Sequence, residues 1–100
     1  MSKLNVMPGK LPKAMIALYY PEDDKYVGIM AKQREAISGL LVFENIIHLT
    51  LYQCAGSHHL RAVPKVLNLD EARAIVRNRD RFESIIMFRP PGTFVVKYVI

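Results

Sequence analysis

The sequence predicts a mostly β protein built on one strongly bent antiparallel sheet, and three observations carry that expectation. Residues 37–51, ISGLLVFENIIHLTL, place Ile37, Gly39, Leu41 and Phe43 on one parity, break at Glu44-Asn45, and resume with Ile47, Leu49 and Leu51. That is the alternation of two strands with one buried face, joined by a sharp polar turn. Gly39 falls mid-strand, where a missing side chain marks a bend or a close backbone crossing. Near the C-terminus, IIMFRPPGTFVV reads as a second hairpin.

Composition bounds the architecture. One hundred residues with 51% hydrophobic content make a single domain, and a chain of this size buries roughly two thirds of its unfolded surface. No apolar run approaches the ~20 residues of a membrane span, and MSKLNVMPGK has no signal-peptide pattern, so a soluble intracellular protein is expected. One cysteine, Cys54, excludes an internal disulfide framework and fits a reducing compartment. The net charge of +5 favours an acidic partner, of which nucleic acid is the commonest.

Residues 1–10 contain Pro8-Gly9 and read as a flexible lead-in to a domain spanning 11–100. In LPKAMIALYY, Pro12 suits a first helical turn, and Leu11, Met15, Leu18 and Tyr19 recur at helical spacing. The same run also reads as a strand. Pro21 to Asp24 ends it with turn chemistry. Val27, Ile29 and Ala31 alternate as a strand, a polar turn follows at Lys32 to Glu35, and a second strand leads into Gly39. A third strand is expected from about Ile46 to Ala55, closed by Gly56-Ser57. His58 and His59 point to opposite faces if extended, and with one cysteine in the chain no metal site is expected.

The stretch from 57 to 82 reads as an inserted loop. Asn68-Leu69-Asp70-Glu71 has the form of a capping box, and Leu69, Ala72, Ile75 and Val76 make an apolar stripe, so a helix is expected over about 69–78. Residues 84–89 and 93–100 then form the closing hairpin, with Pro90-Pro91-Gly92 as its turn. TFVVKYVI is apolar enough to be covered on both faces.

The spacing of Gly39, Leu41, Phe43, Glu44, His48, Leu49 and Leu51 resembles the first signature of the Sm and Sm-like (LSm) RNA-associated proteins. Ile86, Phe88, Arg89, Gly92 and Phe94 to Val96 resemble the second. Glu44 stands where the family has Asp, His48 where it has Asn, and Pro90-Pro91 separate Arg89 from Gly92. The long loop and VRNRDRFESIIMFR look closest to the second of the D-type spliceosomal subunits. The resemblance implies an Sm-like fold: an N-terminal helix, which it favours over the strand at 11–20, five bent antiparallel strands forming a small open barrel, and a long helix-bearing fourth loop.

It further implies a non-catalytic subunit of a heteroheptameric ring that holds a uridine-rich single-stranded site of small nuclear RNA in pre-mRNA splicing. Such a subunit is nuclear, with assembly in the cytoplasm. Its partners are other Sm subunits, joined through edge strands near 84–89 and 93–100. By position, Ile46 takes the stacking place, His48 the base-edge place and Arg89 the planar cation, beside Gly92. Arg73, Arg77, Arg79 and Arg81 are candidate outer RNA contacts, or a solvated face. Two alternatives stay open: an LSm ring acting on U6 small nuclear RNA or in messenger RNA decay, and a protein-interaction subunit that keeps the fold without RNA contacts.

Nothing in the residues points to catalysis or a cofactor. There is no GxxxxGK loop, no Cys-His cluster and no serine in a nucleophile elbow. Asp23-Asp24 and Asp70-Glu71 read as a turn and a helix start.

Overall fold

A computed structural model describes residues 12–32, 36–56, 58–79 and 81–99. Among the described residues, seven strands form one curled, open, mixed sheet, and each face of it carries a helix. The expected lead-in at 1–10 lies outside the described residues, as does most of the turn at 32–35.

The run AMIALYY is a strand, β1 (Ala14–Tyr20), and not the N-terminal helix. Its residues are apolar at nearly every position because both faces are covered. Met15 and Ala17 enter one core, while Leu18 and Ile16 pack on the other. A strand buried on both faces loses its two-residue alternation, so helical spacing arises by coincidence.

After the turn at Pro21–Asp24 come β2 (Lys25–Tyr26), beside β1, and β3 (Gly28–Lys32), beside β4 (Ala36–Phe43). Val27 joins the two pairings. Its N–H donates to Leu18 O at 2.9 Å, and its carbonyl accepts from Leu41 N–H at 3.1 Å. Both β2 and β3 run antiparallel to their neighbours, and those neighbours are antiparallel to each other. The chain must therefore turn sharply at Val27, which curls the sheet. Gly39 permits a second close approach, since a Cβ there would lie 2.5 Å from Ser84 Oγ and 2.7 Å from Ile86 Cγ1.

Glu44-Asn45 does not turn a hairpin. The expected third strand is instead α1 (Ile46–Gly56). Asn45 caps it, Oδ1 accepting from His48 N–H at 2.9 Å and the carbonyl accepting from Leu49 N–H at 3.2 Å. Leu49 and Tyr52 face inward, and the Tyr52 ring lies 5.3 Å from those of both Phe43 and Phe88. The helix is apolar all round, so alternation in its sequence carries no information about which face is buried.

The expected loop at 57–82 contains a strand as well as its helix. Strand β5 (Val63–Asn68) pairs along β1 from Ala14↔Asn68 to Tyr19↔Val63. Helix α2 (Leu69–Asn78) matches the expected span and its cap. Asn68 Oδ1 accepts from Glu71 N–H at 2.8 Å, and Glu71 Oε1 accepts from Asn68 N–H at 2.9 Å. Ala72 and Val76 bury α2 on the sheet face opposite α1.

The closing hairpin is β6 (Ser84–Arg89) and β7 (Thr93–Val99), with a register shift between Ile85 and Ile86. Strand β6 also pairs with β4, in parallel, from Gly39↔Ser84 to Phe43↔Phe88. The sheet is thus not the all-antiparallel five-stranded one expected from the sequence. Residues 84–89 have neighbours on both sides, so they are not the free edge expected to meet another subunit. Across the sheet β5, β1, β4, β6 and β7 succeed one another, leaving β5 and β7 outermost among the described residues. No helix among the described residues is long and apolar enough to cross a membrane.

Candidate functional site

The candidate surfaces are the end of the sheet where the motif residues lie and a cleft beside β2 and β3. The first is created by the parallel pairing of β4 and β6. Phe43 and Phe88 are register partners with ring centroids 5.8 Å apart. The residues that follow them, Glu44 just past β4 and Arg89 as the last residue of β6, therefore lie at the same end of the sheet. Both are exposed.

Ile46, the first residue of α1, is 53% exposed. His48 is half-buried, and its Nδ1 is shielded from solvent with no hydrogen-bond partner among the described residues. That leaves Nε2 as the ring nitrogen for any outside partner. Gly92 has φ +152°, and its N–H donates to Arg89 O at 3.0 Å, closing the β6-β7 turn. Ile46, Arg89 and Gly92 thus share one end of the molecule with His48 set further in along α1.

The four arginines of the insert divide. Arg73 and Arg77 lie on α2, and both make interactions within the protein. Arg79 donates to Asp24 O at 2.9 Å, approaches the Asp24 carboxylate at 3.6 Å and lies 5.3 Å from the Tyr26 ring centre. Arg81 donates to Tyr26 O at 2.7 Å and packs over Phe82 at 4.9 Å. Those last two tie the turn after β1 and the β2 strand to the segment following α2, which gives them a structural role.

The corner they brace is rich in rings. The Tyr19 hydroxyl donates to Asp24 Oδ1 at 2.7 Å, and Lys65 Nζ stands 4.5 Å from the Tyr19 ring centre. That hydrogen bond, with Arg79 beside it, holds the Asp24 carboxyl below its usual range and raises the Tyr19 hydroxyl.

The cleft has a volume of about 570 Å³ and runs along the six consecutive residues from Lys25 to Met30. Arg81 and Phe82 line it from one side of the sheet, Tyr20 and His59 from the other. The Tyr20 hydroxyl and His59 Nδ1 are 2.8 Å apart. Burial, together with neighbouring His58, lowers the His59 pKa below its ordinary value, so the ring is neutral at pH 7 and carries one donor and one acceptor. The described residues contain no cluster of His, Cys, Asp and Glu suited to a metal ion.

Sequence reasoning missed Tyr20, His59, Gly28, Met30 and Phe82 as cleft residues. Residues 20, 28–30, 59 and 82 belong to segments that touch only through the sheet, and no local pattern signals that meeting. Gly28 alone offered a hint, as a glycine inside an alternating strand. No protein-family model, curated protein or solved structure matches the chain.

Proposed function

We propose that the protein is a non-catalytic binding subunit for single-stranded RNA, contacted at the end of the sheet formed by Glu44–Ile46 and Arg89–Gly92. The observation that carries this reading is the parallel register of β4 and β6, which sets these two distant motif turns side by side. Arg89 supplies a planar cation for a phosphate or a base face, and Ile46 an apolar contact. The positive net charge supports attraction of a polyanion, and exposed Glu44 opposes it locally.

The finer identity, an Sm-type ring subunit on a uridine-rich small nuclear RNA, rests on the two motifs. It does not rest on the strand order, which differs from the one the resemblance implies. Of the two strands expected to meet another subunit, β7 alone has an unpaired outer side among the described residues, and that supports a ring. An LSm ring is the alternative, and the RNA that copurifies with the native complex separates the two.

Photocrosslinking to an oligouridylate tests the binding proposal. Crosslinks are expected at Ile46 and in the Arg89–Gly92 turn, with Arg89→Glu weakening binding about tenfold, the value of one charge-assisted contact. Crosslinks confined to other surfaces, or none, refute it.

A further inference from the structure

We propose that the outer edge of β3 is a docking site for an extended, acidic and apolar segment of a partner protein, which adds as a strand and fills the cleft. The argument starts from hydrogen-bond direction. In an antiparallel ladder, residue pairs alternate between those that exchange both backbone hydrogen bonds and those that turn their groups away. Leu41 N–H donates to Val27 O, while Val27 N–H turns to Leu18 O, so at this position β4 directs its N–H toward Val27 and β3. Ser38, three residues earlier, turns the other way. Its N–H donates to Glu83 Oε2 at 3.3 Å, and its carbonyl accepts from Glu83 N–H at 3.0 Å.

Gly28 and Met30 stand opposite Leu40 and Ser38. They therefore direct their N–H and C=O groups away from β4, toward the cleft. No strand pairs with that edge among the described residues. Lining by residues from both faces of the sheet is what an edge-on groove requires. Gly28 lets the Phe82 ring pack against the backbone of β3, since a Cβ there would collide with it. Met30 is 52% exposed and offers apolar surface beside Phe82. Strand addition of this kind takes affinity from main-chain hydrogen bonds and specificity from alternate side chains.

Charge selects the occupant. The described charged groups at the cleft are Lys25 and Arg81 against Asp23, with His59 neutral at pH 7, so carboxylates on the incoming segment are favoured. Residues 1–10 of this chain, MSKLNVMPGK, carry Lys3 and Lys10 and no carboxylate side chain, which makes them a poor match. A second copy pairing by the same edge would set Lys25 and Arg81 against themselves. RNA could use the outward N–H groups but would leave the carbonyls of Gly28 and Met30 facing a polyanion.

The test titrates the ¹⁵N-labelled full chain with a short blocked peptide of alternating Glu and Val. The amides of Gly28 and Met30 are expected to shift, and their hydrogen exchange to slow about tenfold or more at saturation. A Lys-Val peptide is expected to leave them unmoved. Met30→Pro, which deletes one outward donor, is expected to weaken the Glu-Val peptide about tenfold. Lys25→Glu alters an exposed side chain and is expected to reverse the preference toward Lys-Val. The proposal is overturned if Gly28 and Met30 are already protected without peptide, whether independently of protein concentration (the chain's own segment) or in proportion to it (a second copy). It is equally overturned if neither peptide moves these amides, or if an oligouridylate moves them more strongly than Glu-Val does. Because Arg89 ends β6, beside the carboxyl end of β4 and away from Gly28 and Met30, Arg89→Glu is expected to bind Glu-Val normally, which keeps the RNA proposal and this one separately testable.

Discussion

Alanine substitution along α1 decides between a helix and a strand at 46–56. On a strand, Ile47, Leu49 and Leu51 share a face and their truncations cost alike. On the helix they do not: Leu49 is 2% exposed, Leu51 49% and Ile47 66%. Leu49→Ala removes a fully packed side chain and leaves a cavity between Phe43 and Tyr52, so about 2–5 kcal/mol is expected. Ile47→Ala forfeits about a third of a burial value of ~1.5–3 kcal/mol. Alanine's better helix propensity returns part of that, about 0.5 kcal/mol, leaving a change near zero. Leu51→Ala falls between, at about 1 kcal/mol. Urea unfolding monitored by circular dichroism reads all three, and midpoint shifts at unchanged slope report stability directly. Equal costs at the three positions, or a larger cost at Ile47 than at Leu49, refute the helix and restore the strand.

Three more outcomes are expected. Gly39→Ala drives a Cβ against Ser84 Oγ and Ile86, both buried, and disturbs the Ser84 hydroxyl's bond to Ser38 O. It should destabilise by about 2–4 kcal/mol, and Ser84→Ala in the same chain should relieve part of that in a double-mutant cycle. Asn68→Ala removes the α2 cap and should cost about 1 kcal/mol, seen as a lower thermal midpoint with the sheet signal retained. Stability should fall with acid in two steps. The His59 pKa is lowered by burial and then by His58, so its contribution is full above 6.5 and is lost as pH falls through the depressed value. The Asp24 pKa is lowered by the Tyr19 hydroxyl and then by Arg79, so its contribution is lost further down, below 3.8. Urea midpoints against pH check both, and His59→Asn, which suits the positive φ at that position, should erase the upper step alone.

The parts legible in the sequence are those that chemistry fixes within a few residues. The capping box at Asn68 and Glu71 placed α2, since both its hydrogen bonds close within three residues. Gly39 marked the close crossing because its meaning is the absence of a side chain, which needs no knowledge of the neighbour. Asn45 was legible as part of a polar break in the apolar pattern, though it starts a helix rather than a hairpin. The Pro90-Pro91-Gly92 turn and its flanking strands were visible for the same local reason.

Tertiary structure alone decided the remainder. AMIALYY and IIHLTLYQC are apolar on every side, so periodicity could not distinguish helix from strand in either. The first became a strand because β5 and β4 supply its backbone partners, the second a helix because Leu49 and Tyr52 cover Phe43 and Phe88. The parallel register of β4 with β6 joins residues far apart in the chain, and no local pattern encodes it. Both candidate sites depend on such long-range pairings: the sheet end on β4 with β6, and the cleft on the turn at Val27 that leaves one edge of β3 open. Side-chain pattern determines what can be buried, but which edge meets which is settled by backbone pairing between residues far apart in the chain.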